Sequence, residues 1–199
     1  MVRPAIDDSE LMLRVRSGDQ AAFGVLADRH RQRVLNVVYR FMGSGADAED
    51  IAQEVFVRVY RARESYVVRA KFTTWLYTIC RNTCLKEQAR RRTRSSLEGS
   101  PMTGADHSAE TVADTQAPSP LDSVLLDEQA AVAKRAIDAL PDAQRMALIL
   151  RKYESLTYEE IAGVMQCSAR AVKSLLYRAR VTLRNELAEY LDLGDAAEA

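Results

Sequence analysis

One stretch of the chain, from Ser95 to Ala133, differs in composition from the sequence on either side of it. It carries seven carboxylates, three prolines and no lysine or arginine. Its first part, residues 95–120, shows no hydrophobic periodicity and is typical of a flexible linker. We therefore predict two folded domains, at residues 1–94 and 121–199, joined by a flexible acidic linker at residues 95–120.

The block before this linker has the spacing of amphipathic helices. Apolar and semi-apolar residues between Asp19 and Met42 recur at steps of three and four, which indicates one buried helical stripe. A Gly-Ser-Gly sequence at residues 43–45 interrupts the pattern, and Asp47 begins a new helix with acids in its first turn. A further helix begins at Phe72. Because the 199 residues also include only eight glycines and five prolines, we predict an all-α fold of two small helical domains.

The block after the linker also has the pattern of helices. Pro141 suits the first position of one helix, and Thr157 with Glu160 three residues later forms a capping box that begins another. The pattern predicts a helix from Tyr158 to about Met165, a tight turn at residues 166–167, and a helix capped by Ser168 that ends near Leu187. Two short helices joined by such a turn are a candidate helix-turn-helix unit.

Charge is strongly segregated along the chain. The formal total is zero, yet the strip from Arg58 to Arg94 holds eleven basic residues against two carboxylates, Glu64 and Glu87, a net charge of +9. A basic strip interleaved with aromatic residues is typical of a surface that binds a polyanion and stacks on bases. The alternative is a helical face that water simply solvates.

The second helix of the helix-turn-helix candidate has two unlike sides. At about 100° per residue, its apolar residues cluster on one face and its polar residues on the other. The predicted buried side is Val172, Leu175, Leu176, Ala179 and Leu183; the predicted exposed side is Arg170, Lys173, Ser174, Tyr177 and Arg178. A helix buried on one side and basic on the other suits the major groove of DNA, with Ser168 and Arg170 near the end that meets base edges. A surface helix whose basic side faces only water is the alternative.

Within the first block, the helix that begins at Phe72 divides in the same way. Phe72 and Trp75 share a stripe with Leu76 and Ile79, so we expect them to pack in the core. The predicted exposed side is Thr74, Thr78, Arg81, Asn82 and Lys86. Arg81 and Asn82 can hydrogen-bond unpaired base edges or backbone. Tyr66, in the loop before this helix, is the candidate for contacting an extruded base, and Arg69 and Lys71 are candidates for holding the strand backbone.

The helix that begins at Asp47 has an acidic side. Asp47, Asp50 and Glu54 lie at steps of three and four residues, so they share one face. We interpret this face as a docking surface for a basic protein partner, with solubility alone as the alternative. Metal binding or acid–base chemistry fits less well, because no histidine or cysteine lies nearby in the sequence.

Several function classes lack the residues that they need. Cys80, Cys84 and Cys167 cannot all pair, and Met1-Val-Arg-Pro does not resemble a secretory signal, so we expect a reducing cytoplasm. No apolar run approaches the roughly 20 residues of a membrane span. Cys80 and Cys84 could supply two zinc ligands, but two more are needed. Without a phosphate loop, a nucleophile elbow or a catalytic triad, we expect neither enzymatic activity nor a cofactor or metal.

Together, these motifs resemble those of a known family. The sequence Asp-Ala-Glu-Asp-Ile-Ala-Gln-Glu-Val-Phe at residues 47–56, with Phe-Thr-Thr-Trp-Leu-Tyr at residues 72–77 and Asn82, resembles region 2 of bacterial sigma factors. Ala139-Leu-Pro, Leu-Thr-Tyr-Glu-Glu-Ile-Ala at residues 156–162 and the helix from Val172 resemble region 4. In having only these two regions, in this order, the chain is similar to the extracytoplasmic-function (ECF, group 4) sigma factors of the sigma-70 family.

The resemblance implies a promoter-specificity subunit of RNA polymerase. Region 2 would recognise and melt the −10 element, region 4 would bind the −35 element, and the chain would dock on the β′ clamp helices and the β flap of core RNA polymerase. An anti-sigma protein often holds such factors inactive. The implied −10 residues are Tyr66, Arg69, Lys71, Thr78, Arg81, Asn82 and Lys86; the implied −35 residues are Ser168, Arg170, Lys173, Ser174, Tyr177 and Arg178; the implied polymerase-binding residues are Asp47, Asp50, Gln53 and Glu54.

Two departures from the family limit how far its contacts transfer. Many relatives carry Gly-Thr where this chain has Arg170-Ala171, and primary sigma factors carry a tandem tryptophan pair where this chain has one tryptophan. Two other function classes stay open at this point. An ordinary helix-turn-helix regulator would bind duplex DNA tightly without polymerase, and a DNA-modifying enzyme would need a catalytic cluster that the sequence does not supply.

Overall fold

The computed structural model describes residues 6–43, 47–97 and 131–197, and α-helices with one 3₁₀ turn are the regular elements of those ranges. The all-α prediction is therefore confirmed. The helices are α1 (Asp8–Arg16), α2 (Gln20–Met42), α3 (Ala48–Arg61), α4 (Phe72–Leu97), α5 (131–138), α6 (Asp142–Lys152), α7 (Tyr158–Met165) and α8 (Ala169–Ala197). A 3₁₀ turn at Arg63–Ser65 follows α3. None of the helices in the described ranges has the length and apolar character of a membrane span.

Helices α1 to α4 form the first domain. The long helix α2 is capped by Asp19, whose carboxylate accepts a hydrogen bond from the Ala22 amide at 3.0 Å, and it ends at Gly43 with a left-handed φ of 76°. Buried side chains from all four helices meet in one core. The sequence pattern did not indicate α1, which contributes Leu11 and Val15 to this core.

Helices α5 to α8 form the second domain. The capping box at the start of α7 is present: the Thr157 hydroxyl accepts from the Glu160 amide, and the Glu160 carboxylate accepts from the Thr157 amide. Helix α7 has the predicted bounds, whereas α8 continues to Ala197, beyond its predicted end near Leu187. The predicted inner side of α8 is inward: Val172, Leu176 and Ala179 are buried, and Leu175 and Leu183 are half-buried.

The two domains pack against each other. Helices α2 and α4 of the first domain contact α6 and α7 of the second, and the apolar core is continuous across the boundary. The Lys134 ammonium donates to the Gly43 carbonyl oxygen at 2.7 Å, and the Arg92 guanidinium lies 3.0 Å from the Asp142 carboxylate. Helix α4 continues to Leu97, into the first residues of the predicted linker, and residues 98–120 of that linker lie outside the described ranges.

Candidate nucleic-acid interface

Helices α7 and α8 form a helix-turn-helix unit with well-defined ends. Gln166 adopts the left-handed conformation with φ of 54°, which ends α7 and turns the chain. The Ser168 hydroxyl then accepts a hydrogen bond from the Ala171 amide at 3.1 Å and caps α8. This arrangement confirms the predicted helix-turn-helix unit and fixes the direction in which α8 leaves the turn.

The outer side of α8 is a continuous polar and basic surface. We name this the recognition face; its residues are Ser168, Arg170, Lys173, Ser174, Tyr177 and Arg178, and all six are exposed. Tyr177 has 69% of its surface accessible, an unusual value for an aromatic residue in a small domain. The structure brings together every residue predicted for this face, and their contact with DNA stays a prediction.

Helix α4 presents a second polar surface, on the first domain. Asn82 and Lys86 are exposed, and Arg81 is half-buried with its guanidinium donating to the Asn82 side-chain oxygen at 3.1 Å. That hydrogen bond leaves the Asn82 amide nitrogen available for an acceptor on a base or sugar. Thr78 is half-buried and its hydroxyl donates to the Thr74 carbonyl oxygen at 2.8 Å, so it has limited capacity for an external contact. The prediction that Thr74 is exposed is wrong, because its side chain is buried against α7 of the second domain.

Tyr66 does not occupy the position predicted for it. Its side chain is fully buried, with ring-centroid distances of 6.2 Å to Phe72 and 5.0 Å to Trp75. The ring completes an aromatic cluster under the loop, because edge-to-face packing and burial stabilise it there more than exposure in water would. The prediction that Tyr66 contacts an extruded base is therefore wrong for this conformation.

The residues that the loop does expose are apolar and basic. Val67 and Val68, with accessible fractions of 54% and 52%, stand next to the exposed Arg69. The sequence analysis did not single out Val67 and Val68 as candidate site residues. Two apolar β-branched residues followed by a basic residue in a loop are a signal that could have identified them. Lys71 is also exposed, but its ammonium lies 2.8 Å from the Glu160 carboxylate of the second domain.

The acidic face of α3 consists of Asp47, Asp50, Gln53 and Glu54. Asp47 lies 2.6 Å from the Arg91 guanidinium, and Glu54 lies 2.7 Å from that of Arg58. Asp50 and Gln53 are exposed, and Asp50 has no ion-pair partner among the described residues. Asp50 is therefore the carboxylate of this face that a basic partner could engage without displacing an existing ion pair.

The two cysteines of α4 are part of the core. Cys80 and Cys84 are fully buried. A hydrogen bond to Cys84, together with burial, raises the pKa of the Cys80 thiol well above its ordinary value. Within residues 6–43, 47–97 and 131–197, no three His, Cys, Asp or Glu side chains are grouped so that they could hold a metal ion.

Comparisons with known proteins agree with this two-domain arrangement. The family model described as sigma-70 region 2 matches residues 26–95, and the model described as sigma-70, region 4 matches residues 131–183. The ECF RNA polymerase sigma-E factor of Escherichia coli K12 is 36% identical over 185 residues, which cover 92% of this chain and 95% of that protein. The RNA polymerase sigma-H factor of Pseudomonas aeruginosa PAO1 is also 36% identical, with 90% and 93% covered.

A solved structure shares the fold. The sigma factor RpoE of Bartonella quintana, determined in complex with the anti-sigma factor NepR, aligns with a TM-score of 0.64 at 23% identity, over 83% of this chain and 96% of that one. Because the sequence matches extend along nearly the whole chain, they apply to both domains and not to an isolated helix-turn-helix unit. The chain belongs to the extracytoplasmic-function group of the sigma-70 family of RNA polymerase sigma factors.

Proposed function

We propose that this sigma factor directs core RNA polymerase to a restricted set of promoters by reading two DNA elements with its two domains. One observation carries the proposal most directly: exposed basic and polar surfaces lie on two different domains of one chain, and an acidic face lies on the first. When polymerase holds these two DNA-reading surfaces a fixed distance apart, they measure the spacing of the promoter elements as well as their sequence.

The recognition face of α8 is proposed to bind the −35 element in the major groove. Arg170 and Ser168 lie in the first turn, where such helices meet base edges, while Lys173 and Arg178 can bind guanine or phosphate. The family resemblance implies that many relatives carry a glycine where this chain has Arg170. We therefore expect its guanidinium to add a contact that those relatives lack.

Strand opening at the −10 element is proposed for the loop before α4 and for the polar side of α4. The exposed pair Val67 and Val68 takes the place first considered for Tyr66, because apolar side chains can wedge between base steps and unstack them. Asn82 and Lys86 then bind the separated strand. Arg69 adds a positive charge next to the wedge.

The acidic face of α3 is proposed to dock on the β′ clamp helices of core polymerase, with Asp50 as its central charge. The second domain would bind the β flap. An anti-sigma protein, such as the one that accompanies the Bartonella quintana relative, is a further proposed partner. These assignments describe a regulator in the cytoplasm without catalytic activity of its own.

Run-off transcription with core polymerase and a genomic promoter library tests the proposal. We expect specific transcripts only when the chain is added; their absence would remove the proposed function. Tight, specific promoter binding by the chain alone would favour an ordinary helix-turn-helix regulator, and DNA modification in a nuclease or deaminase assay would favour an enzyme.

Variants assign the three surfaces separately. Lys173→Ala and Arg178→Ala should each weaken binding at the −35 element by about 1–3 kcal/mol if a base contact is lost, whereas Arg31→Ala, on the exposed side of α2, should not.

Asp50→Arg should weaken binding to core polymerase, with Asp28→Arg on α2 as the matched control. Asn82→Ala should spare duplex binding but reduce permanganate reactivity of the opened strands.

A further inference from the structure

We propose that Arg16, in the last turn of α1, is a positioning residue for strand opening. Its guanidinium holds the backbone of Tyr66 and thereby sets the direction in which the loop before α4 presents the apolar wedge, Val67 and Val68. This inference rests on the proposed function, because the wedge is part of that function. It gives α1 a role in promoter opening without any contact between this helix and DNA.

The loop is tightly folded on both sides of the point where Arg16 contacts it. The Tyr66 amide donates to the Arg63 carbonyl oxygen at 3.2 Å and ends the 3₁₀ turn. The Arg69 amide donates to the Val67 carbonyl oxygen at 2.9 Å, which closes a three-residue turn around Val68. Because the wedge follows Tyr66 directly in this short segment, a rotation of the Tyr66 backbone moves both valines together.

The side chain of Tyr66 does not by itself determine that direction. Its ring is buried against Phe72 and Trp75, but its hydroxyl has no hydrogen-bond partner among the described residues. Apolar packing is not directional, whereas a hydrogen bond has a preferred distance and angle. The Tyr66 carbonyl oxygen accepts such a bond from the Arg16 guanidinium at 3.3 Å. This bond can therefore orient the loop backbone relative to α1.

Helix α1 gives Arg16 a fixed position. Met12 and Val15 of this helix are buried in the core, and the Asp8 carboxylate at its start lies 2.8 Å from the buried His30 imidazole. The helix also contacts the 3₁₀ turn and α4. A side chain on an anchored helix is held more precisely than one on a loop, so Arg16 is placed independently of the loop that it contacts.

The charge of Arg16 is not used in an ion pair. No carboxylate of the described ranges lies within ion-pair distance of its guanidinium. Arg14, in the same turn of α1, is also exposed, but it lies 3.6 Å from the Asp19 carboxylate at the start of α2. Arg14 is therefore a matched control, because it has the same charge on the same helix and a partner outside the loop.

Transcription from two templates tests the inference. One template carries an ordinary duplex promoter, and the other carries the same promoter with its −10 element already unpaired by mismatches. Arg16→Met keeps most of the apolar stem and removes the donors. Because the lost hydrogen bond has a charged donor but competes with water, the variant should give about fivefold fewer transcripts from the duplex template. From the unpaired template it should match the wild type, and Arg14→Met should match it on both.

The fluorescence of Trp75 provides a measurement that does not depend on transcription. Trp75 is the single tryptophan of the chain and packs on the Tyr66 ring, with the ring centroids 5.0 Å apart. Loss of the Arg16 hydrogen bond lets the covering loop move more, so Arg16→Met should raise acrylamide quenching of this indole in the free chain. Arg14→Met should leave the quenching unchanged. Unchanged quenching in Arg16→Met would overturn the positioning role.

The transcription results separate this inference from the proposed function. An Arg16→Met chain with normal output from the duplex template would overturn the positioning role. An equal loss on both templates would also overturn it, since Arg16 would then act on folding, polymerase binding or a phosphate.

A double variant, Val67→Ser with Val68→Ser, tests the wedge itself. Normal transcription of the duplex template by this variant would remove the wedge from the proposed function. Loss of transcription by this variant beside a normal Arg16→Met chain would remove only the positioning role.

Discussion

At the scale of single residues, the three cysteines occupy two kinds of environment, and this predicts their reactivity. Cys80 and Cys84 are buried, and the pKa of Cys80 is raised, whereas Cys167 is exposed in the turn before α8. Because the thiolate is the reactive form, one thiol per native chain should react rapidly with Ellman's reagent. The other two should react only as the chain unfolds. Cys167→Ser should abolish the fast phase; a fast phase that persists in that variant would contradict the burial of the α4 pair.

Tyr66 allows a second prediction at the same scale. Its hydroxyl is buried without a hydrogen-bond partner among the described residues, so Tyr66→Phe should leave the free energy of unfolding unchanged or raise it slightly. Tyr66→Ala should lower it by about 3–5 kcal/mol, since a cavity forms under the loop. Urea denaturation measures both values. A stable Tyr66→Ala chain that fails only in strand opening would restore the base-contact role that the structure removes.

The sequence pattern predicted which side chains are buried wherever a helix has an apolar side and a polar side. The stripe that contains Phe72 and the recognition face of α8 could be predicted from spacing alone, because helical period determines which side chains face the same way. The burial of Tyr66 could not be predicted in this way, because Tyr66 lies in a loop, where side chains follow no regular period. Its burial depends on Phe72 and Trp75 across the fold, and these tertiary contacts are absent from the local sequence.

At the scale of elements, the capping box determines where α7 begins. Removal of the hydroxyl in Thr157→Ala leaves the Glu160 amide without its side-chain acceptor and should lower the free energy of unfolding by about 1 kcal/mol. Thr93→Ala, in an exposed turn of α4, is the matched control and should cause no loss, because alanine is the better helix former. Equal effects of both substitutions in urea denaturation would contradict the capping role.

Glu160 also makes the start of α7 sensitive to acid. The hydrogen bond with Lys71, and then that with the Thr157 amide, lower the pKa of this carboxyl below its ordinary value of 4.5. A lowered folded-state pKa gives stability that is present above pH 4.5 and is lost as the pH falls through the lower value. The stability difference between wild type and Glu160→Gln, measured by urea denaturation, should therefore shrink below pH 4.5. A constant difference would exclude this ionised contact.

The elements that could be predicted are those with explicit end signals. Helix α7 has its predicted bounds because a capping box marks one end and a left-handed turn the other. Helix α1 was missed because it has nine residues and buries few apolar positions. A segment of this length is too short for the helical period to be recognised. Helix α8 continues past its predicted end because no glycine or proline stops it before Gly194.

At the scale of the whole molecule, the sequence predicted two domains but not their contact. The sequence predicted a flexible acidic linker between the domains, whereas the structure also joins them through one continuous core and through the hydrogen bonds of Glu154 with Arg33 and Tyr77. Glu154 is separated from Arg33 by 121 residues and from Tyr77 by 77, and neither separation leaves a periodic signal. A pairing of this kind depends on the shape of both surfaces, which only the folded domains provide.

The continuous core predicts that the two domains unfold together. The single tryptophan, Trp75, reports on the first domain, whereas far-ultraviolet circular dichroism reports on the helices of both. Since the domains share one core, the two signals should change together in urea, as expected for one cooperative unit. Non-coincident transitions in the wild type would contradict a core shared by the two domains.

The Glu154→Ala variant should separate these two transitions. Loss of the buried carboxylate removes hydrogen bonds worth about 1–3 kcal/mol, with an effect near the lower end because Arg33 is half exposed and solvent screens its charge. The second domain should then unfold at a lower urea concentration than the first, while Glu159→Ala should leave the transitions together. Coupling that survives Glu154→Ala would mean that apolar burial, and not the hydrogen bonds of Glu154, holds the two domains together.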